Sequence, residues 1–261
     1  MAQNNLETKN YWHHFYRLKN AIFSQTKSPF RKQFANNFMN AKKLAAEHAV
    51  KLIKEGMTVG IGTGSTSAFA IAAISNRIKE GLSIKAVASS LRSEELAKNA
   101  GIRLISFSEV ETIDLYIDGA DEVDKDLNLI KGGGGALLRE KILAFHSKEF
   151  IVIVDSSKLV HRLGKFMLPV EVTPFAMELT VRHLQQLDCT TFVRKDNNQP
   201  YITDNRNIII DCDFREIADA DRLHNSINAI PGVVENGLFP GKMVSKIMVG
   251  HESGEVELIS K

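Results

Sequence analysis

The feature that most constrains the fold is a regular alternation of short apolar segments with helix-forming segments between residues 40 and 154. Apolar residues recur at helical spacing from Asn40 until Gly56 ends the pattern, whereas Met57–Ile61 and Phe150–Val154 are short and rich in β-branched residues. Strands that alternate with helices in this way are typical of a mainly parallel sheet covered by helices. We therefore predict an α/β fold for this part of the chain.

After about Lys165 the order of predicted helices and strands changes. The further elements predicted in the first part are helices at Ser65–Ile78, Ser93–Asn99 and Ala136–His146 and strands at Ile84–Ala88, Ile102–Ser106 and Leu115–Ile117. Those predicted in the second part are helices at Pro174–Leu187 and Ala220–Ile230 and strands at Pro169–Val172, Thr190–Val193 and Ile208–Ile210. Two tail strands, Lys246–Val249 and Val256–Ile259, are predicted to rejoin the first sheet. The pattern divides the chain into a main domain, residues 39–165 plus 241–261, and a smaller α+β domain, residues 166–240.

Residues 1–38 differ from the rest of the chain in composition. They contain six Lys or Arg, eight aromatic residues and a single acid, Glu7. A basic, aromatic and acid-poor segment fits a targeting presequence or a surface-binding helix. It also fits a translated leader ahead of a start at Met39, where the helical pattern begins. We favour the leader, and we expect a disordered extension outside the folded domain.

The overall composition excludes several classes of protein. A formal net charge of +2 over 261 residues gives no support for binding to nucleic acid. Only two cysteines, Cys189 and Cys212, are present, which excludes a disulfide-built scaffold or a Cys-based zinc module and suits a reducing compartment. The uncharged stretch at Gly56–Asn76 is broken by glycines and hydroxyl residues, so we predict no membrane span. We expect a cytoplasmic protein.

The first segment that fits chemistry lies between a predicted strand and a predicted helix. It reads Gly62-Thr63-Gly64-Ser65-Thr66. Glycines let the backbone approach a ligand, and free N–H groups at a helix start bind phosphate. The segment matches neither the dinucleotide-binding glycine motif nor a P-loop, which favours a smaller phosphate or a sugar phosphate. A tight turn capped by Ser65 explains the same residues without a ligand.

The second segment follows an apolar strand. It reads Asp118-Gly119-Ala120-Asp121-Glu122. Ligands of open α/β sheets bind beyond the carboxyl ends of the strands, and two aspartates three residues apart can face one cleft. An EF-hand is excluded, because the spacing from Asp124 places Leu129 and Gly135 where that loop needs glycine and glutamate. A solvated acidic loop and a magnesium site remain open alternatives.

The third segment combines glycines with charged residues. It reads Lys131-Gly132-Gly133-Gly134-Gly135 and is followed by a helix that carries Arg139-Glu140-Lys141. Ordered glycines indicate close backbone approach, and Lys131 beside them can stabilise an oxyanion or a phosphate. Glu140 fits a general base, and Lys158, near another strand end, fits a phosphate ligand. A flexible linker and an exposed salt-bridged helix surface are the alternatives.

Together these segments resemble ribose-5-phosphate isomerase, type A. The resemblance is carried by GTGST at 62–66, DGADE at 118–122, IKGGGGALLREK at 130–141, DSSK at 155–158, LPVEVTPFA at 168–176, ITDN at 202–205 and INAIPGVVENGLF at 227–239. It covers nearly all of residues 39–261. Residues 1–38 have no counterpart in that family, so the resemblance says nothing about them.

The resemblance implies a fold, a reaction and a set of site residues. The fold is a Rossmann-like α/β domain with a smaller α+β domain, commonly as a homodimer. The reaction interconverts D-ribose 5-phosphate and D-ribulose 5-phosphate in the non-oxidative pentose phosphate pathway, without metal or organic cofactor. Glu140 matches the base of the family. The residues that match its substrate-binding positions are Thr63, Gly64, Ser65, Thr66, Asp118, Gly119, Ala120, Asp121, Lys131, Gly132, Gly133, Gly134 and Lys158.

The chemistry of this reaction agrees with the residues themselves. An aldose–ketose isomerase moves a proton between C1 and C2 through a cis-enediolate, and one carboxylate, Glu140, can take and return it. Lys131 and the glycine N–H groups would stabilise the enediolate oxygen. The furanose ring must first open, and we expect Asp118 and Asp121 to shuttle the ring and hydroxyl protons. We expect Lys158 and Lys42 to bind the 5-phosphate; whether residues 63–66 bind hydroxyls or phosphate stays open.

Two other classes of protein compete with this interpretation. A CoA-transferase-type enzyme would use a glutamate as nucleophile and form a thioester, but the basic patch needed for CoA is not evident. A sugar-phosphate sensor would need a DNA-binding module, and residues 1–38 are too short for one with a linker. A sensor is also expected to lack the base, whereas Glu140 is present.

Overall fold

A six-stranded sheet forms the centre of this computed structural model, which describes residues 29–260, with side chains from residue 40 onward. Its strands are β1 (Thr58–Ile61), β2 (Lys85–Ala88), β3 (Ile113–Asp118), β6 (Ser147–Asp155), β14 (Lys246–Gly250) and β15 (Val256–Ser260). They lie in the order β15-β14-β6-β3-β1-β2, and every neighbouring pair is parallel except β14 with β15. The two tail strands therefore join the first sheet, as predicted.

Helices cover both faces of this sheet. They are α1 (Pro29–Val50), α2 (Ser65–Lys79), α3 (Leu91–Asn99) and α4 (Leu137–Phe145). Successive side chains of a strand point to opposite faces, so Leu115 and Ile117 pack in one apolar cluster with residues of α1, α2 and α3. Tyr116, between them, packs in the other cluster with Phe150 and with Leu143 of α4.

A second, antiparallel sheet is built from the later part of the chain. Its strands are β7 (Leu168–Val172), β8 (Thr190–Val193), β11 (Ile208–Asp213) and β12 (Val233–Asn236), in the order β12-β7-β11-β8. Helices α5 (Met177–Gln185) and α6 (Ala220–Asn228) pack on it through buried Leu184 and Ile227. An α/β fold with a smaller α+β part is therefore confirmed, whereas the exact division of the chain into residue ranges stays a prediction.

Several short strands have no counterpart in the sequence predictions. They are β4 (Glu122–Val123), β5 (Leu129–Ile130) and β13 (Leu238–Phe239), which form a three-stranded sheet, and the hairpin β9 (Lys195–Asp196) and β10 (Gln199–Pro200). Strands of two residues carry no detectable hydrophobic period, so only long-range pairing reveals them.

Two predicted elements differ from the structure. The strand predicted at Ile102–Ser106 is wrong: the segment makes one isolated bridge, from Leu104 to Ala86, at the outer edge of β2. Among the described residues the first helix spans Pro29–Val50, so it extends ahead of Asn40 and includes residues 29–38 of the extension that we expected to be disordered. The predictions for residues 1–28 lie outside the described residues.

The strand order places a crevice at the centre of the main sheet. From β1 the chain moves to β2 on one side and then to β3 on the other side, so the connections after β1 and β3 diverge. Such a switch point is where ligands bind in open α/β sheets, beyond the carboxyl ends of the strands. The segments after Ile61 and Asp118 meet there. Within the described residues no helix has the length and hydropathy that a bilayer crossing requires.

Candidate active site

The carboxylate of Asp118 is the hub of the crevice. It is fully buried at the end of β3 and accepts five hydrogen bonds. At Oδ1 the donors are the backbone N–H of Thr63 (3.0 Å), the backbone N–H of Gly119 (2.7 Å) and the hydroxyl of Ser67 (2.9 Å). At Oδ2 they are the hydroxyl of Tyr116 (2.5 Å) and the ammonium of Lys131 (2.8 Å). A carboxylate has about four lone-pair positions, so Asp118 is saturated by the protein.

The loop after β1 depends on glycine to reach this carboxylate. A Cβ at Gly62 would overlap the carboxylate of Asp118, so no larger residue fits there. Gly64, which precedes α2, has a φ of +113°, a conformation that favours glycine. Ser65 is exposed at the start of α2, Thr66 is half-buried, and Thr66 faces Gly119 across the crevice. The predicted residues of both segments are therefore brought together.

Lys131 carries a buried positive charge between two carboxylates. Its side chain is 3% exposed, and its Nζ lies 2.8 Å from Asp118 Oδ2, 3.3 Å from Glu140 Oε2 and 2.5 Å from the carbonyl oxygen of Gly119. Burial by itself would lower the pKa of Lys131, but the charges of Asp118 and Glu140 outweigh it and raise the pKa. The ammonium therefore stays charged at neutral pH.

Glu140 is a buried carboxylate that the protein leaves partly unpaired. It lies in the first turn of α4 and is 3% exposed. Its Oε2 is close enough to Lys131 for an ionic interaction but has no hydrogen-bond partner among the described residues. Burial, opposed by Lys131 and assisted by the charges of Asp118 and Asp121, raises the pKa of Glu140 to about 8. A carboxylate in this setting is a stronger base than one in water.

Asp121 and the glycine loop hold each other in place. Asp121 is half-buried, and its Oδ2 accepts the backbone N–H of Gly133 at 2.8 Å. Gly132 has a φ of +101°, and a Cβ there would lie 2.8 Å from the Cβ of Leu137. Gly133 and Gly134 are exposed. The four glycines are thus an ordered loop beside the carboxylates, not a flexible linker.

A cluster of hydroxyl groups on the other side of the crevice was not predicted. The hydroxyl of Thr63 lies 2.8 Å from those of Ser89 and Ser90 and 3.1 Å from that of Ser93. Ser93 in turn donates to the carbonyl oxygen of Gly62 at 2.7 Å. The sequence signal that could have predicted this cluster is the pair Ser89 and Ser90 after β2, of which Ser90 caps α3. The Thr63 side chain thus anchors the loop after β1 to the serines that follow β2.

The two lysines predicted to bind phosphate lie near the end of β6. Nζ of Lys42, on α1, is 3.7 Å from Oδ2 of Asp155, the last residue of β6. A Cβ at Gly250 would overlap the backbone of Ala41, so this close packing fixes α1 against the end of β14. Lys158 is half-buried in the short 3₁₀ turn that follows β6. Both lysines therefore lie at the carboxyl-end edge of the sheet.

Residues of the smaller α+β part, just after β8 and after the β9–β10 hairpin, also reach the site, and sequence reasoning missed them. Arg194 donates to the carbonyl oxygens of Gly132 and Gly133, and Tyr201 to that of Gly134. Asp204 accepts the backbone N–H of Leu91 at 2.9 Å, and its backbone carbonyl accepts from Arg139 at 3.1 Å. Of these residues, only Asp204 lay in a segment that the sequence analysis had singled out, ITDN at 202–205, which is part of the family resemblance. The described part of the chain contains no group of three His, Cys, Asp or Glu arranged to bind a metal ion.

A family model, a curated relative and a solved structure all match this chain under the same family name. The family model for ribose 5-phosphate isomerase A (phosphoriboisomerase A) matches residues 85–254. A ribose-5-phosphate isomerase A of Bacillus mycoides is 50% identical over 217 residues, which cover 83% of this chain and 98% of the relative. The structure of ribose 5-phosphate isomerase A from Methanocaldococcus jannaschii matches with a TM-score of 0.80 and 44% identity, covering 85% of this chain and 98% of that chain.

A further similar structure is a complex with a small acid. A D-ribose-5-phosphate isomerase in complex with phospho-erythronic acid matches with a TM-score of 0.82 and 40% identity, again covering 85% of this chain and 98% of that chain. Both solved structures thus match this chain over 85% of its length. On sequence and structure alike, the chain belongs to the ribose 5-phosphate isomerase A family.

Proposed function

We propose that this protein interconverts D-ribose 5-phosphate and D-ribulose 5-phosphate through a cis-enediolate, with Glu140 as the base. The observation that carries the proposal is the buried carboxylate of Glu140, whose Oε2 has no hydrogen-bond partner among the described side and main chains and lies 3.3 Å from the ammonium of Lys131. A base next to a fixed positive charge is what proton abstraction beside a carbonyl requires.

Glu140 moves the proton. Burial raises its pKa to about 8, so about a tenth of the group is ionised at pH 7, and this ionised form accepts a proton more strongly than a solvated carboxylate. It takes the C2 proton of the open-chain aldose and returns it to C1 of the enediolate, while the proton of the O2 hydroxyl passes to the adjacent O1, so that C1 becomes a hydroxymethyl group and C2 a carbonyl. A single carboxylate serves both carbons because they are adjacent and lie on one face of the planar intermediate.

Lys131 stabilises the charge that develops on the substrate oxygens. Its ammonium remains protonated because Asp118 and Glu140 raise its pKa. It is held by Asp118 and by the carbonyl oxygen of Gly119, so no reorganisation is needed when the enediolate forms. A preorganised charge in a buried site is worth more than the same charge in water.

Ring opening falls to Asp121 rather than to Asp118. The sequence favoured both aspartates as proton shuttles, but Asp118 is saturated by five donors and is fully buried. Asp121 is half-buried and uses one carboxylate oxygen for the backbone of Gly133, which leaves the other oxygen for the substrate. We therefore assign Asp118 to positioning Lys131 and the loop after β1, and Asp121 to the transfer of the ring proton.

The 5-phosphate binds at the start of α2. Helix N-terminal N–H groups attract anions, and Ser65 and Thr66 supply them there together with two hydroxyls. Lys158 and Lys42 add positive charge at the neighbouring end of β6. This arrangement keeps the phosphate at one end of the crevice and C1 and C2 at the other, next to Glu140.

The test is conversion of ribose 5-phosphate to ribulose 5-phosphate in the presence of EDTA, for wild type and Glu140→Gln. We expect wild-type activity to survive EDTA and the variant to lose about 10²–10⁴-fold in kcat, the range of general base catalysis, with substrate affinity nearly unchanged. Glu149→Gln is the matched control, because Glu149 is exposed and pairs with Lys246. A Glu140→Gln variant that keeps more than about a tenth of wild-type kcat would contradict the assignment.

We also propose a cytoplasmic homodimer that acts in the non-oxidative pentose phosphate pathway. Two free cysteines, one of them buried, support a reducing compartment. Phe175 is 87% exposed and Leu179 is 57% exposed at the start of α5, which supports a self-associating surface there. The molar mass from light scattering tests the dimer, and charged substitutions at these two residues are expected to yield monomers.

A further inference from the structure

Three consecutive carbonyl groups of the glycine loop all turn toward the second sheet. The Nη1 of Arg194 donates to the carbonyl oxygen of Gly132 at 2.8 Å and to that of Gly133 at 3.2 Å. The hydroxyl of Tyr201 donates to the carbonyl oxygen of Gly134 at 3.3 Å. Glycine has no preferred orientation of its own here, so side chains from the second sheet determine which way these peptide groups face.

Arg194 is itself held rigidly. Its Nε donates to Oδ2 of Asp211 at 2.9 Å, and its Nη2 forms an ion pair with Oδ1 of the same residue. Asp211 lies in β11, and both side chains are 15% exposed. A two-pronged guanidinium–carboxylate pair fixes the plane of the guanidinium. The third nitrogen, Nη1, is therefore aimed at the glycine loop before any substrate arrives.

The direction of these carbonyls determines the direction of the N–H groups. A trans peptide is planar, and its N–H points opposite to its C=O. The carbonyl of Gly132 faces Arg194, and the N–H of Gly133 accordingly points the other way, to Asp121 at 2.8 Å. The carbonyl of Gly133 also faces Arg194, so the N–H of Gly134 must point away from the second sheet.

The N–H of Gly134 is a free donor in the exposed part of this loop. No acceptor for it is present among the described residues, whereas the N–H groups of Gly133 and Gly135 are both bonded. Gly134 is exposed, and a Cβ built on it would lie 3.8 Å from Cγ2 of Thr63, on the opposite wall of the crevice. The free N–H is therefore presented to the space between the two catalytic loops.

We propose that Arg194 is a positioning residue that orients the peptide between Gly133 and Gly134 so that its N–H stabilises the enediolate oxygen. Tyr201 holds the next carbonyl, that of Gly134, and so supports the same loop, although the N–H of that peptide is already bonded to Gly132. This inference rests on the proposed isomerase function and extends it to the second sheet. Arg194 does not touch the substrate; it keeps a backbone donor aimed at the oxygen that becomes negative, as an oxyanion hole requires.

The experiment compares Arg194→Met and Arg194→Lys with wild type in kcat, KM and inhibitor affinity. One inhibitor is phospho-erythronic acid, whose carboxylate presents two coplanar oxygens like those of a cis-enediolate; the other is inorganic phosphate, which probes only the phosphate site. We expect Arg194→Met to lose about 10–100-fold in kcat, somewhat less than deletion of an oxyanion-hole donor, with KM changed by less than about threefold. Its affinity for phospho-erythronic acid should fall by a similar factor, and that for phosphate should stay within about twofold.

The controls separate positioning from general stability. Arg162→Met removes an exposed guanidinium that pairs with Glu216. This variant should leave kcat, KM and the affinities for both inhibitors unchanged. Arg194→Lys keeps one donor and should recover part of kcat. If Arg194→Met fails to fold by circular dichroism, Tyr201→Phe replaces it, because the ring stays against Gly135 and only the hydroxyl is lost. That variant should lose about 3–10-fold in kcat. Its affinity for phospho-erythronic acid should fall by a similar factor, whereas its affinity for phosphate should stay unchanged.

The outcomes separate this inference from the proposed function. A folded Arg194→Met variant with kcat within about threefold of wild type would overturn the inference while leaving the isomerase intact. An equal loss of affinity for both inhibitors would overturn it as well, because a merely structural role predicts that result. Wild-type protein without isomerase activity would overturn both.

Discussion

Glu140→Gln should stabilise the folded protein at alkaline pH while it abolishes turnover. Burial raises the pKa of Glu140 from 4.5 to about 8. Below about pH 4.5 the side chain is neutral in the folded and the unfolded protein, so its ionisation does not lower the free energy of unfolding. Between these two pKa values the unfolded chain ionises while the folded protein retains the proton, so the free energy of unfolding decreases as pH rises. Above about pH 8 the side chain is ionised in both states, so the decrease in the free energy of unfolding stays constant.

The size of the effect follows from the same pKa. A rise from 4.5 to about 8 corresponds to roughly 5 kcal/mol, at about 1.4 kcal/mol per pH unit. Glutamine carries no charge to desolvate, and Lys131 keeps Asp118 as its partner at 2.8 Å. We therefore expect the stability of Glu140→Gln relative to wild type to improve by about 3–5 kcal/mol between pH 5 and pH 9. All other titrating groups are common to both proteins and cancel in the comparison.

Urea unfolding at pH 5, 7 and 9 measures this difference, with Glu149→Gln as the exposed control that should show no such trend. The same titration should appear in kcat/KM of wild type as an acid limb near pH 8, distinct from the second ionisation of the substrate phosphate near pH 6. A stability difference that changes by less than about 1 kcal/mol from pH 5 to 9 would refute the argument that burial controls this carboxylate.

Three further predictions concern the loop, the phosphate site and the helix that carries the base. Gly132→Ala should lower the free energy of unfolding by about 1–3 kcal/mol in urea, because φ is +101° and the new Cβ would lie 2.8 Å from that of Leu137. Lys158→Met should raise KM for ribose 5-phosphate about tenfold with little change in kcat, whereas exposed Lys51→Met should change neither; a pure kcat defect would argue against the phosphate role. Burial lowers the pKa of Lys141 from 10.5 to about 8, so wild type should gain roughly 3 kcal/mol over Lys141→Met between pH 8 and 10.5 in urea unfolding, and a constant difference would contradict this.

The local sequence was enough to predict most of the elements, because each carries its own signal. The β-branched segment at 150–154, the glycine turn at 62–64 and the helix that begins at Ser65 are all visible within a window of a few residues. The predicted strand at 102–106 fails for a physical reason. The apolar pattern shows that the segment is able to form a strand, but not whether it pairs with a neighbour. Pairing depends on the edge of β2, where only Leu104 makes a bridge.

The sequence by itself was enough to predict the candidate site residues: the two aspartates, Lys131, the glycines and Glu140 all follow from motifs and their chemistry. Only the tertiary structure supplies the contacts that support the proposed division of roles among them. Asp118 is saturated by donors from three segments, Glu140 keeps a free oxygen, and Arg194 reaches the glycine loop from the second sheet. Motifs record residue types along the chain, whereas burial and hydrogen-bond partners arise between residues far apart in sequence. The pKa of Glu140 and the direction of the Gly134 N–H depend on those distant partners, so they appear only when the chain is folded.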